Sequence, residues 1–180
     1  MPEDQTAWVE RLKAKEEAAV RELIRSYGGP LERFLRGMVG STADAEDLAQ
    51  EAFIRLVEHA GEFRGESSLK TYLFRIAHNL ALNHLASAPR RYEVYSGEMP
   101  DPPSIGPAPV QRVSAAEDES RLRSALARLP PQQRAVVILR TWQDLSFKEI
   151  ASALALAEGT AKAHYFFALK NLRRQLEITP

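Results

Sequence analysis

Apolar residues recur every three or four positions along most of the chain, the spacing of helices with one buried face. Between residues 16 and 27 the stripe is Ala19, Val20, Leu23, Ile24 and Tyr27. Gly28, Gly29 and Pro30 then punctuate it, and Pro30 suits the first turn of a following helix. Leu31, Phe34, Leu35 and Met38 carry that helix to Gly40. Ser41 with Asp44 resembles a capping box and opens a helix to about His59, with Leu48, Ala52, Ile54 and Leu56 among its apolar positions. Gly61 to Ser67, GEFRGES, reads as a loop, after which Ser67 or Ser68 can cap a long helix to about Ala86.

The pattern then lapses. Pro89, Pro100, Pro102, Pro103, Pro107 and Pro109 fall between residues 88 and 114 with few large apolar residues, which predicts a linker open to proteolytic nicking. Periodicity resumes near Ala116. Leu122, Leu126 and Leu129 form one stripe, Pro130 and Pro131 begin a new helix, and Val136, Val137, Leu139 and Trp142 give it a core face. Ser146 to Glu149 is an S-x-x-E capping box for a helix to Leu154. Ala155, Leu156 and Ala157 fit a tight turn before a basic helix from about Glu158 to Gln175. No strand pattern appears. The expectation is an all-α chain of two small helical domains, 1–88 and 116–180, joined by a flexible proline-rich linker, 89–115. A module of this size buries only roughly 60% of its unfolded surface, so both should gain stability from partners.

Composition narrows the options mainly by exclusion. With 44% hydrophobic and 27% charged residues the chain resembles an ordinary globular protein. It has no apolar run of roughly 18 residues and no signal-peptide core, so a cytoplasmic location without membrane insertion is expected. Cysteine is absent, which excludes disulfide and thiolate chemistry. His59, His78, His84 and His164 have no paired ligand spacing and read as helix-surface or interface residues, so neither metal nor cofactor is expected. No glycine-rich phosphate loop or nucleophile motif suggests an enzyme.

Net charge is zero, yet the charges are segregated. Asp44, Glu46, Asp47, Glu51, Glu58 and Glu62 stand against Arg55 alone between Ser41 and Glu62. Arg64, Lys70, Arg75, Arg90 and Arg91 follow against Glu66, and Lys162, Lys170, Arg173 and Arg174 occupy the last helix without an acid after Thr160. Such blocks suit a protein partner on one face and phosphate on others, although solvated helix faces explain any single block equally well. The capped short helix, tight turn and basic helix of residues 146–175 read as a helix-turn-helix, with a plain helical hairpin as the alternative. In the DNA-binding geometry Thr160, Lys162, Ala163 and His164 reach base edges, while Lys170, Arg173 and Arg174 lie nearer phosphates.

Four motifs in order, DAEDLAQEAF, FRGESSLKTYLFRIAHNLALNHL, LPPQQR and GTAKAH, resemble those of the extracytoplasmic-function sigma factors of bacterial RNA polymerase. The likeness covers roughly residues 16–88 and 120–175. It implies a transcription initiation factor whose partners are the polymerase core, through the clamp helices of its largest subunit, promoter DNA and an anti-sigma factor. By the same resemblance Asp47, Gln50 and Glu51, on one helix face, bind the clamp. An acidic first turn favoured by the helix dipole accounts for Asp44, Glu46 and Asp47 but not for Gln50 or Glu51. Asn79 would line the pocket for an extruded −10 base, with Phe63, Arg64 and Ser67 capping it and Lys70, Arg75 and Asn83 along the strand. Tyr72 matches a family aromatic or serves core packing. The −35 element would meet Thr160, Lys162, Ala163, His164, Phe167, Lys170, Arg173 and Arg174. Three positions depart from the family. Ala155 stands where glycine is frequent, Ala157 where a capping serine is frequent, and Phe167 where a basic residue is. Phe167 then meets a thymine methyl or packs internally. The rival readings are a free-standing helix-turn-helix regulator, which would bind duplex DNA without polymerase, and an adaptor that binds polymerase but drives no transcription.

Overall fold

The computed structural model describes the backbone of residues 5–92 and 120–176, all helix, turn or loop with no strand among them. Eight helices follow in order: α1 Gln5–Lys13, α2 Glu17–Val39, α3 Thr42–Glu58, α4 Leu69–Tyr92, α5 with its described part at residues 120–127, α6 Pro131–Trp142, α7 Phe147–Leu154 and α8 Glu158–Gln175. The first four residues of the expected linker, 89–92, are the end of α4; the rest of it and the start of the second module near Ala116 lie outside the described residues.

Three features of the first half differ from the expected pattern. Trp8, Val9 and Leu12 form a short helix, α1, whose apolar side is buried. α2 runs unbroken through Gly28, Gly29 and Pro30. An interior proline removes a backbone bond and costs about 3 kcal/mol. Here Leu23, Leu31, Phe34, Leu35 and Met38 are all fully buried on one face spanning the proline, and that burial outweighs the local penalty. α4 continues as helix to Tyr92, past the expected end at Ala86. Ser68, rather than Ser67, starts it by accepting the Thr71 amide at 3.0 Å.

α2, α3 and α4 pack together, with Phe34 and Phe74 edge to face at 5.4 Å in the centre. In the second half α6, α7 and α8 pack on one another. The halves are joined: Ala135, Val136, Ile138, Leu139, Ile150 and Leu154 belong to the same buried cluster as the α2–α4 core. Close approach is possible because Gly37 lacks a Cβ, which would stand 2.7 Å from Ile138 Cδ1. Arg134 of LPPQQR is buried beneath this junction and donates to the Met38, Ala127 and Leu129 carbonyls. It therefore ties the end of α2 to the α5–α6 turn. Ile24, Ile54 and Trp142, all read as core-facing, are instead exposed. Trp142 closes α6, and its neighbour Gln143 turns inward to donate to the Pro30 carbonyl at 3.0 Å.

Candidate nucleic-acid interface

Ser41 caps α3 by accepting the Asp44 amide at 3.2 Å. From that start Asp47, Gln50 and Ile54 emerge exposed on one side, while Glu51 is half-buried and paired with Arg55 at 2.6 Å. The spacing argument missed the apolar groove beside them. Val20, Ile24, Phe53, Ile54 and Val57 line a cavity of about 660 Å³ between α2 and α3, with Gln50 in its wall and Glu32, Glu46 and Glu58 around it. Asp47 and Glu51 do not line it. The signal was in the sequence, since Ile24 and Ile54 widen their stripes, but a stripe's edge cannot be told from its centre without the packing.

The second cluster surrounds the loop before α4. Gly65 takes a left-handed φ of 72°, and the turn there brings the loop back over the helix. Phe63, Arg64, Ser67, Tyr72 and Arg75 meet around a cavity of about 340 Å³. The Phe63 and Tyr72 rings lie 5.2 Å apart, tilted by 54°. Tyr72 also packs against the core, as its packing reading expects, with its ring at the cavity wall. Asn79 and Asn83 are exposed one and two turns beyond Arg75 and do not line the cavity. They extend its side of α4 outward. His78 beside them is buried, contrary to its expected surface or interface position, and burial holds its imidazole down at about 4.

One wall of this cavity comes from the other half of the chain. Arg75 donates to the Ser152 carbonyl from Nε at 3.1 Å and Nη2 at 2.7 Å, and Lys70 donates to the Gln143 carbonyl at 2.9 Å. Ser152 lies in the last turn of α7, where carbonyls lack intrahelical partners and the helix carries partial negative charge. Two candidate DNA-binding cations are thus occupied by the second half.

In that half the capping box is complete. Ser146 accepts the Glu149 amide, and Glu149 Oε2 accepts the Ser146 amide at 2.8 Å and its hydroxyl at 2.7 Å, which holds the carboxyl below its usual range. Ala155 takes the left-handed turn position, φ 54°. Ala157 starts α8 with no side-chain cap. Phe147 and Tyr165, edge to face at 5.6 Å, lock α7 to α8, and Arg140 lies 5.2 Å over the Phe147 ring. This leaves Thr160, Lys162, Ala163, Phe167, Lys170, Arg173 and Arg174 exposed and His164 half-buried. Internal packing of Phe167 is thereby excluded. Lys162 pairs with Glu158 at 2.7 Å, and that hydrogen bond lowers the Glu158 carboxyl. Among the described residues, no cluster of three histidines or acids is placed to hold a metal, and no helix is long and apolar enough to cross a membrane.

The described residues thus form two helical modules, one with a cavity beside its loop and one with a capped helix-turn-helix. Residues 23–91 match Sigma-70 region 2 and residues 119–172 match Sigma-70 region 4. The ECF RNA polymerase sigma factor SigL of Mycobacterium tuberculosis is 31% identical over 166 residues, covering 91% of this chain and 92% of SigL. BldN, an ECF RNA polymerase sigma factor of Streptomyces coelicolor, is 35% identical over 169 residues. That match covers 93% of this chain, which spans only 64% of BldN's length. The sigma factor RpoE of Bartonella quintana, solved in complex with the anti-sigma factor NepR, shares the fold: TM-score 0.69 at 23% identity, over 89% of this chain and 98% of RpoE. The chain belongs to the extracytoplasmic-function sigma factors of RNA polymerase. It is a transcription initiation factor of the alternative sigma type, and the free-standing regulator is not favoured.

Proposed function

We propose that this chain, in the cytoplasm, brings core RNA polymerase to promoters by holding the −35 duplex on α8 and the melted −10 strand beside α4. The observation that carries this reading is the cluster of Phe63, Arg64, Ser67, Tyr72 and Arg75 around one cavity, on the domain that also exposes Asp47 and Gln50. An extruded base entering that cavity exchanges lost stacking for aromatic and hydrogen-bonding contacts. Asn79 and Asn83 serve the flanking strand, and Asn79 can both donate to and accept from a base edge. The clamp helices of the polymerase's largest subunit dock on α3, with basic side chains at Asp47, Gln50 and Glu51 and apolar ones in the adjoining groove. Glu51 exchanges its Arg55 pairing for one in the complex. The working division puts the −10 and polymerase domain at the helices up to the end of α4 at Tyr92, the linker after it to residue 115, and the −35 domain at 116–180. The chain performs no covalent step, since the polymerase supplies the active site. The structural likeness to an anti-sigma-bound RpoE supports an anti-sigma factor as the regulatory partner.

The test is transcription by purified core polymerase on a genomic library, with start-site mapping. New starts sharing spaced −35 and −10 elements are expected. They should be lost with Asp47→Ala and altered in −10 sequence with Asn79→Ala. Polymerase binding without any start would make the chain an adaptor. Tight duplex binding without polymerase would make it a free-standing regulator.

A further inference from the structure

Phe166 and Phe167 stand side by side on the outer face of α8, 65% and 52% exposed, with ring centroids 5.6 Å apart and planes at 74°. The helix is anchored by other residues, with Ala161, Ala168 and Leu172 buried and Tyr165 against Phe147. The phenyls therefore add nothing to that packing. Single exposed apolar residues are ordinary. Two rings bracing each other edge to face form a ridge with a fixed shape.

The surroundings define what the ridge fits. Lys162 precedes Phe166 by one turn, Lys170 follows it by one turn, and Arg173 and Arg174 come a turn later, all exposed. A partner for this face must be anionic at its margins and apolar at its centre. The floor of the DNA major groove meets that description, with phosphates along both walls and the thymine 5-methyl as the apolar group on its base edges. Gly159, Thr160 and Ala163, small and exposed on the same side, let the first turns of α8 approach the groove floor. Phe167 follows Ala163 by four residues and so lies directly over the next part of that floor.

Resting on the −35 assignment of α8, we infer that Phe166 and Phe167 form a thymine-methyl reader. They make the chain selective for thymine within the −35 element by apolar contact rather than by a charged contact to phosphate.

The experiment uses full-length protein with core polymerase on a promoter identified by start mapping. Each −35 thymine is replaced singly by deoxyuridine, which removes only the methyl group. For the natural chain, at least one replacement should weaken holoenzyme binding about three- to fivefold, as expected for one buried methyl. Phe167→Ala should weaken binding to the thymine duplex by a similar factor and become indifferent to uracil at that position. Phe167→Leu should restore part of both effects. Phe166→Ala should reduce the thymine preference partly, and Lys170→Ala should leave it intact while flattening the salt dependence by about one phosphate contact. The side chains are exposed, so these variants keep the core.

The inference is overturned if every uracil replacement is silent, if Phe167→Ala remains equally sensitive to uracil, or if the mapped −35 element contains no thymine. Loss of all promoter-specific starts with the natural chain would overturn the −35 assignment itself, a result separable from a functional promoter insensitive to the methyl.

Discussion

Ala155 holds φ 54° and ψ 47° between the two helices of the DNA-reading hairpin, a conformation that presses an L residue's Cβ against its own backbone. Two residues later Ala157 begins α8 with no side-chain oxygen to meet the free amides. Both defects are local, so Ala155→Gly should raise stability by about 0.5 kcal/mol, and Ala157→Ser by about 1 kcal/mol, read from the urea midpoint. A lower midpoint for Ala155→Gly would show that the turn is held without strain. His78 presents a different kind of local cost. Its imidazole is 2% exposed and held at about 4, below its ordinary 6.5. Above pH 6.5 both folded and unfolded chains carry it neutral. As pH falls from 6.5 towards 4 only the unfolded chain takes the proton, so stability declines across that window by up to about 3 kcal/mol. His78→Leu should flatten this part of the curve relative to the natural chain. Parallel curves for the two proteins would mean that the ring is hydrated and titrates normally.

At the scale of elements, the helices were largely legible because each carries its own signals. Ser41, Ser68 and Ser146 each cap a helix, and Gly40 ends α2. What local chemistry could not give was the outcome of competition between local and tertiary terms. Pro30 argues for a break, and only the buried face on both sides of it explains why α2 continues. Ile24 and Ile54 match a core stripe by spacing, and only the packing of α2 against α3 turns them outward. The candidate −10 cluster was readable as a set, since Phe63 to Arg75 is one loop and two helical turns. The wall supplied by Ser152 was invisible because it comes from 77 residues away. The outward isoleucines carry a prediction. If Ile54 seats an apolar side chain of the polymerase clamp, Ile54→Ala should weaken core binding about tenfold with little change in thermal stability. Ile54→Asp should weaken it further. Unchanged core affinity for both would confine the clamp contact to the polar side of α3.

In the whole molecule the candidate −10 side of α4 packs against α7 of the second half. Lys70 and Arg75, which the strand would need, are bound to carbonyls at Gln143 and in the last turn of α7. A negative helix end and a phosphate make the same demand on a cation, so under the proposed −10 assignment DNA and the second domain would compete for the same groups. The apolar side of the contact is shared as well, with Gly37 against Ile138 and the α6–α7 residues in the α2–α4 core. The 27 residues between Tyr92 and residue 120 can span at most about 100 Å when fully extended, so separation needs no break in the chain. Gly37→Leu tests the competition without touching a candidate DNA contact, because a side chain there collides with Ile138 across the junction. The chain has no cysteine, so single cysteines at exposed Glu58 and Lys170 can carry a fluorophore pair. Energy transfer in the free protein should fall in Gly37→Leu, and binding of single-stranded −10 DNA should tighten about three- to tenfold as the competent fraction rises. Arg75→Ala should also lower transfer while losing DNA affinity, since it removes a group that both partners use. If Gly37→Leu lowers transfer but leaves DNA affinity unchanged, Lys70 and Arg75 are not contested and the closed packing serves stability alone.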